Sequence, residues 1–99
     1  MSIDYSPIVI GYGKTLEYYL RKYIASKVAD HSRYCMGEII RGWKNSFRQD
    51  HVQSMISINK LRNSCAHADE VLSIEYTHVE RIRTYLFKGQ LLRYTMDLA

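Results

Sequence analysis

The chain has 99 residues, with 14 lysines and arginines against 10 aspartates and glutamates, a formal net charge of +4. That length supports one hydrophobic core and not two, so one domain over residues 1–99 is expected, either a short protein or a piece of a longer one. One proline, no low-complexity run, no apolar run near the ~18 residues that span a bilayer and no signal-peptide pattern exclude a disordered tail and a membrane partner, and point to a cytoplasmic domain.

Ser6-Pro7 opens the first helix, with a hydroxyl suited to the N-cap and a proline suited to the first helical position. From Ile8 and Val9 through Leu16 and Leu20 to Ile24 and Val28, apolar residues recur at helical spacing as a broad stripe. Gly11 and Gly13 weaken it locally; small residues there either admit another helix or mark a frayed first turn. The opposite face carries Lys14, Glu17, Arg21 and Lys22. Glu17 and Arg21 stand four apart, in the favourable order for a surface ion pair.

Asp30-His31-Ser32-Arg33 reads as a loop, with His31 exposed to solvent. Met36, Ile39, Ile40, Trp43 and Phe47 mark a second helix, in which Trp43 is a core anchor rather than a platform for a base. Asp50 suits the cap of a third helix running from about His51 through Arg62. Ala68 to Leu72 reads as a loop, and either Ser73 or Thr77 caps the last helix, with Val79, Ile82, Leu86, Gly89 and Met96 as its buried line. Arg81, Arg83, Lys88 and Arg93 decorate that helix, either widening a binding surface or, the more frequent reason for such cations, as a solvated face, and His78 receives no role. There is no strand alternation and no internal repeat, so the expected fold is all-α, an up-and-down bundle of about four helices. Cys35 and Cys65 lack C-x-x-C spacing and are expected as reduced thiols.

The chemistry concentrates in Asn59-Lys60-Leu61-Arg62-Asn63-Ser64-Cys65-Ala66-His67. A guanidinium holds phosphate in a two-pronged geometry, an imidazole moves a proton near neutral pH, and a carboxamide orients either one. Arg62 and His67 are five apart, so an unbroken helix would turn the second by about 140° from the first. Either the helix ends near Ser64–Cys65 and bends His67 back, or the two groups meet counterparts from a second copy. The plain alternative is a scaffold in which Arg62 snorkels from the core or pairs with an acid. No carboxylate–histidine cluster has metal-ligand spacing, and no metal or other cofactor is expected.

Arg62, four residues, then His67, with a polar Asn63 after the arginine, resembles the R-x(4–6)-H signature of the HEPN superfamily (higher eukaryotes and prokaryotes nucleotide-binding domains). Glu17-Tyr18-Tyr19-Leu20-Arg21-Lys22 is similar to the E-x(3)-K-R motif on an early helix of that family, with the basic pair reversed. The resemblance implies paired helical domains that bring two such motifs into one cleft, hence a homodimer. It implies a metal-independent endoribonuclease acting on RNA, of the kind found in toxin–antitoxin, abortive-infection and other antiviral defence systems, with an antitoxin or regulatory domain as a further partner. Arg62, His67 and Asn63 would then be catalytic, and Glu17, Arg21 and Lys22 would contact substrate. Asp69 stands where relatives paired with nucleotidyltransferases carry a tyrosine, so no such partner is expected. A HEPN-like module that binds RNA, nucleotide or protein without turnover is the alternative.

Overall fold

The computed structural model describes residues 4–66 and 75–99. Within them the chain forms five helices, α1 (Ser6–Ala25), α2 (Met36–Trp43), α3 (Gln49–Ala66), α4 (Tyr76–Arg83) and α5 (Leu91–Leu98), and no strand. Short 3-10 turns at His31–Arg33 and Lys44–Ser46 bracket α2. The expected loop at Ala68 to Leu72 and the expected cap Ser73 lie outside the described residues. No described helix is long and apolar enough to cross a membrane.

α1 is the strut, in contact with each of the other four helices. Its stripe puts Val9, Leu16, Leu20 and Ile24 wholly inside, where they meet Ile39 of α2, Met55 and Ile58 of α3, Ile82 of α4 and Leu91 of α5 in one cluster. Each such side chain removed from water contributes about 1.5–3 kcal/mol, so this stripe holds the helices together. The start of α1 differs from expectation: Ser6 is already helical, and its amide donates to the Asp4 carboxylate (3.0 Å). α3 begins at Gln49, so Asp50 lies inside the first turn rather than capping it. The amide of Arg48, just before α3, donates instead to the Tyr94 hydroxyl of α5 (3.0 Å), and the Tyr94 ring stacks on His51 at 4.4 Å.

The expected last helix is two. After α4 the backbone passes through one π-helical turn at Thr84–Lys88, closed by the Gly89 amide donating to the Thr84 carbonyl (2.8 Å). Gln90 then adopts a left-handed conformation (φ 59°), which ends the helix and turns the chain back along α1. The wider π turn and the break shift the register. Val79, Ile82 and Leu86 are buried as expected, but beyond the break Leu91 and Thr95 take the inner positions while Gly89 and Met96 are exposed. The α4 N-cap is Glu75 rather than Thr77, and His78 has a local role there: its Nδ1 accepts the Glu75 amide (3.0 Å).

Candidate functional site

α3 carries Met55 and Ile58 into the core, and Arg62 follows Ile58 by one turn on the same line. Its side chain therefore starts toward the core and must leave along the surface of α1. Gly13 provides the notch. A Cβ placed on Gly13 would stand 2.5 Å from Arg62 Cδ and 3.1 Å from Cγ, so only a residue without a side chain lets the arginine stem cross here.

One turn beyond that notch sits Glu17. Arg62 Nη1 donates to Glu17 Oε2 at 2.6 Å, with Met36 Sδ 3.7 Å from the same nitrogen. Arg21 Nη2 donates to the other oxygen, Oε1, at 2.9 Å. Arg21 Nη1 reaches onward to the carbonyls of His31 and Ser32, both at 3.2 Å. The Glu17–Arg21 pair is therefore not a solvated surface pair. It is the middle of a relay that ties α3, α1 and the His31–Arg33 turn together, with the Glu17 side chain only 18% exposed. Burial by itself would raise the Glu17 carboxyl, but hydrogen bonds from Arg62 and then Arg21 outweigh it and hold the group below the ordinary glutamate range. One carboxylate between two guanidiniums leaves a net positive charge. Among the described residues Arg62 donates only through Nη1, and its Nε and Nη2 have no partner there.

Those groups border a cavity of about 190 Å³ between α1, α2 and α3. Glu17 of α1, Asn59, Arg62 and Asn63 of α3, and Cys35, Met36, Gly37 and Arg41 at and within α2 line it. The structure thus brings together Arg62, Asn63 and Glu17, with Arg21 joined through the carboxylate. Lys22 is separate: it is exposed, its Nζ lies 5.5 Å from the Tyr18 ring centre, and it lines a shallow groove with Tyr18, Arg21, Ala25 and His31. His31 is half-buried rather than exposed, with its Nδ1 inside and without a hydrogen-bond partner among the described residues. α3 is helical through Ala66, one residue past Cys65; His67, and so the expected bend that returns it, lies outside the described residues.

Sequence reasoning missed Arg41 and Gly37 and gave Asn59 no role. Asn59 was legible: with Arg62 and Asn63 it makes an i, i+3, i+4 set, which is one face of a helix. Arg41 carried no such signal, since only the packing of α2 against α3 brings it to this cavity. Both cysteines are free thiols. Among the described residues no group of three or more His, Cys, Asp or Glu side chains is arranged to hold a metal ion. Comparison of the chain with protein-family models, curated proteins and solved structures finds no match, so the side chains themselves carry the functional reading.

Proposed function

We propose that this chain is a metal-independent endoribonuclease of HEPN type, working as a homodimer with RNA in a cleft shared by two copies. One observation carries the reading. The arginine of the Arg-x4-His segment and the glutamate of the Glu-x3-Arg-Lys segment lie 45 residues apart in the chain and meet in a hydrogen bond at the edge of a polar cavity. A scaffold arginine needs no second segment of that composition to aim it.

The chemistry follows from the groups. The ribose 2′-oxygen attacks its own adjacent phosphorus; the P–O2′ bond forms and the P–O5′ bond breaks, leaving a 2′,3′-cyclic phosphate and a free 5′-hydroxyl. Nε and Nη2 of Arg62 take the non-bridging oxygens, where negative charge grows. His67 accepts the 2′-hydroxyl proton, and His67 of the other copy protonates the departing 5′-oxygen. Asn63 donates to a phosphate oxygen or fixes the imidazole. Glu17 would act on RNA through Arg62, since a carboxylate itself repels phosphate, and Arg21 holds Glu17 in turn. Lys22 would meet the RNA backbone farther along α1. Such an activity suits a toxin, abortive-infection or antiviral effector in the cytoplasm, restrained by an antitoxin or regulatory domain.

A second reading has its own observation. Glu17 already cancels part of the Arg62 charge at 2.6 Å, which favours a module that binds RNA or nucleotide without cutting it. Labelled RNA incubated with the purified chain in excess EDTA separates the two. The nuclease leaves 2′,3′-cyclic phosphate ends, and Arg62→Ala and His67→Ala abolish them. Binding without cleavage selects the module, and neither outcome leaves a helical scaffold.

A further inference from the structure

Beside the Arg62 cavity lies a second depression, about 330 Å³, between α2 and α3. The two share Gly37, Arg41 and Asn59. The outer one differs in character: Ile40 lies at its base and Ile56, 37% exposed, at its edge, with Lys60 beside it. A polar cup with a held guanidinium thus opens onto an apolar shelf, and a cation stands at the junction. Arg41 is exposed and pairs with no carboxylate among the described residues. The nearest acid in sequence, Glu38, accepts the Cys35 amide at 3.3 Å and feels the Arg41 charge without forming an ion pair with it. A Cβ on Gly37 would stand 3.3 Å from the Asn59 amide nitrogen and 3.7 Å from Arg41 Nη1. The bare glycine leaves room for the Asn59 amide, which an added Cβ would crowd, while the Arg41 distance is an ordinary van der Waals contact.

We infer that this α2–α3 groove seats the nucleotide next to the scissile phosphate, with the base on the Ile40–Ile56 shelf, Asn59 on its edge and Arg41 on the neighbouring phosphate. A single-stranded nucleotide is the ligand that presents an anion and a flat, apolar-faced ring with a hydrogen-bonding rim a few ångströms apart. Charge complementarity supports it, since Arg41 and Lys60 line the groove and the net positive Glu17–Arg62 pair, shared with Arg21, borders the adjoining cavity. Asn59 can both donate to and accept from a base edge. The inference rests on the reading of Arg62 as an RNA-phosphate contact and adds the residues that position the strand.

The test uses the full chain carrying His67→Ala, which keeps the probe intact, and a fluorescein-labelled ten-nucleotide single-stranded RNA followed by anisotropy over a range of salt. Arg41→Ala should weaken binding about tenfold or more, the size of one charge-assisted hydrogen bond, and should reduce the slope of log K against log salt by about 0.7, one phosphate contact on a single strand. Ile56→Ser should weaken binding while leaving that slope unchanged. Arg81→Ala, an exposed cation on α4, is the control and should bind as the parent does. Parent-like affinity and slope for both groove variants, with Arg62→Ala still weakening binding, would overturn the subsite and leave the nuclease reading standing. Absence of RNA binding by the parent overturns both.

Discussion

Arginines at the two ends of this molecule behave differently. At the α1–α3 end, Arg62, 25% exposed, reaches Glu17, 18% exposed, from a distant segment and shares that carboxylate with Arg21. At the α4–α5 end, Arg83 pairs with Glu80 three residues away and Arg93 with Asp97 four away, all four side chains about half exposed or more. Residue type is the same, and position relative to the apolar stripe decides the role. Arg62 continues the buried line of α3, so its head group emerges in a crevice; Arg83 and Arg93 stand outside the buried line of their helices and remain in water. A guanidinium that leaves the core beside a carboxylate is fixed in direction, as a phosphate-binding group must be.

Replacing the shared carboxylate should have the largest effect. Glu17→Gln leaves two part-buried guanidiniums without their counter-charge, and urea unfolding should show a loss of about 2 kcal/mol. The same substitution sharpens the pH dependence. The folded carboxyl titrates below its ordinary value of 4.5, so the unfolded chain binds its proton first as pH falls. The contribution of Glu17 is therefore complete above that value and is lost as the pH drops through the lower folded value. The difference in stability between parent and Glu17→Gln should shrink over that interval, and a difference constant with pH would break the comparison.

Gly13→Ala is next. The added methyl gains helix propensity of about 1 kcal/mol, while crowding the Arg62 stem costs a similar amount. Thermal stability should change by less than about 1 kcal/mol, yet, on the proposed nuclease reading, RNA binding and cleavage should fall because the guanidinium is displaced from Glu17. The smallest effect belongs to the other end: Arg83→Ala should shift stability by less than about 0.5 kcal/mol and leave RNA cleavage unchanged. A larger loss there would remove the distinction between the two ends.

The apolar spacing of α1, α2 and α3 was enough to anticipate those helices and most of their inner faces, because a 3.6-residue period survives any loop arrangement. It failed at Gln90. A left-handed residue other than glycine leaves no trace in composition, and Gly89 sat on what looked like a buried line, so α4 and α5 read as one helix with Met96 inside. At the site, Glu17 and Arg62 were legible only as two separate segments; that they meet was not, because the contact joins residues 45 apart through the packing of α3 on α1. Arg41 and Gly37 were not legible at all, since their relation to Asn59 exists only once α2 lies on α3.

The most direct measurement is the rate of RNA cleavage in excess EDTA by the parent chain and by Arg62→Lys. The lysine keeps the charge but loses the planar two-pronged donor set and the fit against Glu17. If Arg62 stabilises the charge that grows on phosphorus-bound oxygens, the parent cleaves and Arg62→Lys is slower by about a hundredfold, the scale of losing one transition-state donor. No cleavage by the parent, or equal rates for the two proteins, would contradict the account.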